Sequence, residues 1–536
     1  MSRTLLLCGV AVAALAAPAD ARDRRVDVSP YIEAGQVLTA DLDGPSDVVT
    51  YTSLAAGIDA SVQTRRVEVT ASYRYEHRFA WDDDLGDEDI HSGLARAQVA
   101  VLPGFDLEAG ALATRARTDI RGDAPLSLAG NVANISQLYS VYAGPSLSGN
   151  LGPVSLGAAY RIGYTKVESP DLGLGLEPGA PLVDYYDDST TQFLSGSAGI
   201  APGDVLPVGV TISTQWERED QSQLDNRYEG KYARADAVLP VTPTVALVGG
   251  VGYENIEISS RDAATDPTTG APVVDGAGRY VTDEGSPRRI DYDFDGIYWD
   301  AGVLWRPNRR LSLEARIGER YDTMSYTGSL RWAASPSVNV AVGVYDTVTS
   351  FGRGVQSGLA ALPTDFQVRR DPFGDQFDGC VFGRGEGNAG NCLNGIFQSL
   401  ASANYRARGV DGVITAARGR TTIGFGAGYA NRKFLVRETG ADSVLDGVTD
   451  QSWYAQAFWS YAMTDGSQVD LSVDGSYYQP GIAESGDVLA AGLTGSYSRS
   501  FGRLGATASA GVYYFDQDGF ASDLVAQALL GLRYGF

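Results

Sequence analysis

The 536-residue chain has little of what marks most enzymes and most membrane anchors. Beyond residue 21 no stretch approaches the ~20 apolar residues of a spanning helix, which argues against an inner-membrane anchor or translocase subunit. No window beyond that point sustains a helical hydrophobic period. Basic residues are in deficit: 42 Lys and Arg against 66 Asp and Glu leave a net charge of −24. Nucleic acid is therefore not an expected partner. Nucleophile-elbow, Walker-loop and metal-ligand spacings are missing. Two histidines, His77 and His91, flank an acidic stretch at Asp82–Asp89. A His/Asp pair at a rim could activate water, but isolated histidines beside carboxylates are ordinary in an acidic chain. Neither enzymatic activity nor a cofactor is expected.

Cysteine is scarce as well, with three in the chain. Cys8 lies inside an apolar run, Leu5 to Ala17, that follows Arg3 and precedes Ala19-Asp20-Ala21. That pattern is a secretory signal peptide over 1–21, with cleavage after Ala21. The three leucines before Cys8 do not fit a lipoprotein signal. Export leaves Cys380 and Cys392, and an even pair in an oxidising compartment is expected to form a disulfide.

What the chain has is alternation. In Val67–Trp81, Val67, Val69, Ala71, Tyr73, Tyr75, Phe79 and Trp81 alternate with Glu68, Thr70, Ser72, Arg74, Glu76 and Arg78. This is a strand with one apolar and one polar face. The pattern recurs about 22 times, in segments beginning near 27, 47, 66, 89, 105, 135, 153, 188, 206, 227, 244, 290, 310, 324, 338, 406, 420, 451, 468, 487, 504 and 522. Each is long enough to cross a bilayer as a tilted strand of about 9–11 residues. Links after even-numbered segments are short and most links after odd ones are long; the tight link near Asp322–Met324 is the exception. Trp305, Trp332, Trp459, Tyr461, Tyr497 and Tyr534 gather at one end of the segments, and Tyr75, Trp81, Tyr164, Trp216, Tyr253, Tyr429 and Tyr477 at the other. Short periplasmic turns, long outer loops and two aromatic belts describe an all-β, transmembrane antiparallel up-and-down barrel. Residues 22–536 are expected to form this single domain, in the cell outer membrane.

The chain ends in ALLGLRYGF, with Leu530, Leu532, Tyr534 and Phe536 alternating outward. This resembles the closing-strand signal of Gram-negative outer-membrane proteins, with Leu532, Tyr534 and Phe536 as its residues. The resemblance implies transient contact with the barrel-assembly machinery, within a membrane of lipid and lipopolysaccharide. The segment Trp305-Arg306-Pro307-Asn308-Arg309, with Arg316, Gly318, Arg320 and Tyr321, resembles a segment of the β-barrel porins of Proteobacteria. Some of those accompany exopolysaccharide systems, which implies polysaccharide-export components as partners.

Strand parity puts Arg74, Arg78, Arg96, Arg161, Arg234, Arg306, Arg316, Arg320, Arg331 and Arg533 on the lumen face. It puts Glu68, Glu76, Glu108, Glu217, Asp236, Glu254, Asp300, Glu314, Asp470 and Asp474 there too. Equal numbers of each sign predict a polar but balanced wall, with charges paired across strands rather than arranged in selective rings. The surplus acid belongs to outer loops, around 82–89 and at Asp171, Glu177, Asp184 and Asp187. Solvated loops are the expected reading; divalent cations bridging to anionic glycolipid are the alternative. The DYDFDG motif at 291–296 begins like a calcium loop, but Gly302 stands where the bidentate Glu is required, and no metal is expected.

A barrel this wide needs something to narrow it. Only Arg22 to Val26 precede the first segment, which disfavours a TonB-dependent receptor with an N-terminal plug. The long segment 350–405, with Cys380 and Cys392, is then the expected constriction, and Arg353, Arg384 and Glu386 its candidate lining charges; an outer loop stapled against proteolysis is the alternative. The leading functional reading is a porin-like channel for hydrophilic solutes. A conduit associated with exopolysaccharide export and a non-conducting structural or adhesive barrel are the alternatives.

Overall fold

The structure, a computed structural model, describes residues 25–43, 48–81, 87–119, 134–169, 183–367, 371–373, 379–385, 387–393, 395–397, 400–438, 440, 444–482, 485–519 and 521–536. The signal-peptide region, Asp171, Glu177, Glu386 and most of the acidic stretch 82–89 lie outside these residues.

Twenty-two strands form one sheet in which each pairs antiparallel with its neighbours in sequence. The sheet closes on itself: Arg25–Asp41 pairs with Val48–Gln63 on one side and with the last strand, Asp523–Gly535, on the other. Closure pairs every strand, as a membrane interior demands. The 22 starts read from the alternation all fall within three residues of an observed strand start, the largest offset being 206 against Gly209.

The two faces are inverted relative to a soluble protein. Along Val67–Ala80, Tyr73, Tyr75 and Phe79 are exposed, whereas Thr70, Ser72, Glu76 and Arg78 are buried. The same holds around the wall: Ile162, Leu194, Val251, Ile317, Val473 and Leu493 face outward, and Ser53, Ser92, Ser140 and Thr165 are buried inward. An apolar exterior around a polar interior makes this an outer-membrane barrel. Tyr429, Trp453 and Tyr477, on three successive strands, stack side by side outside, with ring centroids 5.1 and 5.6 Å apart. Leu530, Leu532, Tyr534 and Phe536 point outward from the closing strand and beyond it.

Links on one side are tight, such as 103–104, 152–153, 309–310, 419–420 and 502–503, and the longest of them is 201–208. The other side carries 261–288, 350–404 and 435–448. The first side is periplasmic and the second external. The exceptional external link is real: Leu311–Arg320 and Thr323–Ser335 are joined by Tyr321 and Asp322, both with φ near +55°. Two consecutive positive φ values make the mirror-image turn that suits a two-residue hairpin. The Tyr321 ring packs edge-on against Phe294, 5.4 Å away, and is buried with Tyr228, Ile256 and Val348.

Candidate functional site

The segment between the strands Val338–Thr349 and Tyr405–Arg418 folds into the lumen. It begins with a helix, Phe351–Ala361, capped by Ser350, whose hydroxyl accepts from the Arg353 amide at 3.2 Å. Phe351, Val355 and Leu359 lie four residues apart and share one face. They are buried against Leu94, Leu112, Leu138, Tyr142 and Val167 of the wall. Wall residues also hold the helix by polar contacts. Arg96 donates to the carbonyls of Ala360 (3.0 Å) and Leu362 (3.1 Å), placing a cation where the helix ends in unpaired carbonyls. Gln356 bonds Thr191 and Thr165.

Beyond the helix a small sheet forms from Phe366–Gln367, Cys380–Gly383 and Gly390–Cys392, and a disulfide joins Cys380 to Cys392. The disulfide presses against the wall at Gly426, where an added Cβ would overlap the Cys380 sulfur. Phe382 packs edge-on against Phe458 at 4.8 Å. The hairpin tip reaches the periplasmic end: Asn339, one residue into its strand, donates to the Gly385 carbonyl at 2.8 Å and accepts from the Gly387 amide at 2.7 Å. Ser350 stands at the external end of the same strand, so the segment traverses the lumen's depth.

The wall arginines are mostly committed to carboxylates. Arg74 bonds Glu33 and Glu76, Arg161 bonds Glu108 at 2.9 Å, and Arg316 bonds Asp236, Asp300 and Glu314. Arg320 grips Glu254 through two nitrogens. Arg78 is buried; it pairs with Glu76 and donates to the Phe373 carbonyl of the inserted segment, so it fastens that segment and is covered by it. Asp470 accepts from Ser460 and Gln468, and Asp474 lies beside Gly492 near Tyr513. Arg331 is exposed on the lumen face. Arg353, expected among lining charges, is instead buried under the helix, paired with Glu219 and stacked 3.3 Å from the Tyr228 ring centroid. Arg384 is exposed at the hairpin tip.

Two polar cavities lie along the lumen wall. One cavity of about 570 Å³ is lined by Ser195, Ser213, Gln215, Glu217, Tyr232, Arg234, Tyr298 and Arg320. A second, of about 420 Å³, shares Arg234, Tyr298 and Arg320 and continues past Asp236, Asp300, Arg316 and Glu314 to Ser329. No described residue of the inserted segment lines either one. Between them the Tyr298 ring lies 5.4 Å from the Arg234 guanidinium and 5.1 Å from that of Arg320. Above, among the external loops, a chamber of about 510 Å³ is bounded by Leu224, Arg261, Asp262, Asp291, Asn404 and Arg437. There Asp225 pairs with Arg261 at 2.9 Å and Arg288 at 2.6 Å. Burial alone would raise its carboxyl, but these two arginines outweigh burial and hold it below the ordinary aspartate range.

His77 and His91 are on the outward face near the external rim, His77 bonded to Asp89 at 2.7 Å and His91 to Tyr73 at 2.7 Å. Asp291 of the calcium-like motif bonds Arg437 and Ser260. Sequence reasoning missed Glu219, Tyr228 and Asn339 as anchors of the inserted segment, since nothing local marks a wall residue whose partner lies 46 to 134 positions away.

No family model matches the chain, and no curated protein does. Among solved structures it is similar to the FrpB iron transporter from Neisseria meningitidis, at 10% identity and TM-score 0.44, covering 95% of this chain and 81% of that one. It is also similar to the siderophore receptor PirA from Acinetobacter baumannii, at 10% identity and TM-score 0.41, with 96% and 81% covered. The alcaligin outer-membrane receptor FauA from Bordetella pertussis gives 12% identity and TM-score 0.40, with 94% and 76% covered.

Proposed function

We infer that this protein is an outer-membrane channel for small hydrophilic solutes, with a bore set by its own inserted segment. The observation that carries the reading is the pair of adjoining polar cavities, about 570 and 420 Å³, which share Arg234, Tyr298 and Arg320 and have no described residue of the inserted segment in their lining. Their lining is hydroxyl, amide and ion-paired side chains, which offer hydrogen bonds to a moving solute without a net charge to trap it. The segment is fixed by buried apolar contacts and by bonds to the wall at several heights, so it acts as a permanent narrowing rather than a loose lid. The fit is to solutes of the size of a monosaccharide or an amino acid, and passage is by diffusion.

Liposome swelling with the purified full chain tests this. Swelling in arabinose or glycine, falling steeply for tri- and tetrasaccharides, is the expected result. Vesicles that do not swell in any solute although the barrel is inserted would leave the structural or adhesive reading standing.

A further inference from the structure

The lumen's arginines divide into two populations. Those in the middle and upper wall are tied to carboxylates: Arg74, Arg161, Arg234, Arg316 and Arg320 all have acidic partners within 3.0 Å. At the periplasmic mouth the pattern divides: Arg533 is still tied to Asp59 at 2.7 Å, whereas two arginines in another sector are not so tied. Arg306 and Arg331 are exposed, project from the inner face, and have no carboxylate partner among the described residues. They are neighbours. Arg306 donates from Nε to the Ser312 hydroxyl at 3.2 Å, and Ser312 pairs in register with Arg331 on the next strand. Three adjacent strands thus present a guanidinium, a hydroxyl and a second guanidinium at one level.

The inserted segment delivers a third guanidinium toward the same sector. Arg384 precedes Gly385, which Asn339 holds. Asn339 pairs with Ala333, two residues from Arg331 on the same face. Arg384 is exposed and has no carboxylate partner among the described residues. The nearest acidic side chain up the wall on these strands is Glu314, two residues above Ser312, and Arg316 already holds it. The second cavity ends at Glu314 and Ser329, the inner-face residues directly above Ser312 and Arg331. A solute leaving that cavity on the periplasmic side meets these arginines next.

We propose that Arg306, Ser312 and Arg331, with Arg384 at the hairpin tip, form an anion-binding station at the periplasmic mouth for small solutes carrying a carboxylate or phosphate group. Guanidiniums bind such groups through charge-assisted, often forked hydrogen bonds. Like charges left side by side without counter-ions are stabilised when an anion settles between them. The inference deepens the channel reading by naming a solute class, and rests on it for the route the solute takes.

Equilibrium dialysis of radiolabelled inorganic phosphate against the full chain folded in detergent, at low ionic strength where screening is weak, tests the station. Wild type should retain phosphate. Arg306→Gln/Arg331→Gln should weaken retention at least tenfold, whereas Arg503→Gln, at an exposed periplasmic turn elsewhere, should leave it within twofold. Heat-modifiable electrophoretic migration checks that each variant is a folded barrel. Unchanged retention in the double variant, equal loss in Arg503→Gln, or no retention by wild type would overturn the proposal. The assay needs no current or swelling, so a barrel that fails to conduct would sink the channel reading without deciding this one.

Discussion

Arg353, in the first turn of the inner helix, and Glu219, on the barrel wall 134 residues earlier, form a buried ion pair 3.2 Å long. Glu219 also accepts from the Ser350 hydroxyl that caps the helix. One wall carboxylate therefore neutralises the helix's buried cation and orients its cap. Removing one partner of such a pair leaves an uncompensated charge, at a cost of about 3–5 kcal/mol. Arg353→Met and Glu219→Gln should each loosen the segment, read as faster protease cleavage within 362–400 in folded protein. The double variant Arg353→Met/Glu219→Met should be less sensitive than either single change, because no fully buried orphan charge remains and Arg353's other partner, Glu217, is partly exposed to solvent. Additive sensitivity would mean that the pair does not act as a unit.

The inverted faces predict a contrast between neighbouring residues. Leu194 is exposed outward mid-strand, and Ser195 lines the larger cavity. Leu194→Arg should cost roughly 2–4 kcal/mol in folding into lipid, as a charge on the lipid face near mid-membrane does. Ser195→Arg should cost far less and should narrow the passage. Equal folding defects would contradict the face assignment.

The external cap should respond to acid. Because the Asp225 carboxyl is held below its ordinary value, its contribution is present above the unfolded aspartate pKa of about 3.9 and is lost as pH falls through the lower folded value. Asp225 is nearly half exposed, so the effect is small. Hydrogen exchange in 261–288 should be flat from pH 7 to 5 once corrected for intrinsic rates, and should rise below about 4. Asp225→Asn should show the faster exchange at every pH.

Topology is open to labelling. A cysteine at Thr268, in the exposed external loop, should react with an impermeant maleimide on intact cells. A cysteine at Thr242, in the tight turn 241–244, should not. Reversed labelling would turn the barrel over and put the arginine station on the outside.

The barrel was legible because its code is local. Alternation in stretches such as Val67–Trp81 reports the two solvents directly, and a strand crossing a bilayer has little freedom to begin elsewhere. Even the awkward two-residue link after Arg320 could be read, although not that Tyr321 and Asp322 both adopt positive φ. The inner helix was not legible. Gly352, Gly354 and Gly358 make Phe351–Ala361 a poor helix by propensity, and it forms because the lumen wall packs its apolar face. The spacing of Phe351, Val355 and Leu359 was the available signal. Arg353 read as a free charge from sequence because its partner Glu219 belongs to a distant strand.

The central claim is that the segment through 351–404 sets the bore. Single-channel conductance of the full chain in planar bilayers, compared with a variant lacking residues 375–395 and with the Cys380→Ser/Cys392→Ser variant, tests it most directly. Closing a short loop with a disulfide lessens the entropy lost on ordering it by about 3 kcal/mol, so losing the bond should loosen the hairpin. The account predicts a small conductance for wild type, a noisier and larger one without the disulfide, and a severalfold larger one for the deletion. Identical conductance in all three, with each barrel inserted and folded, would contradict it.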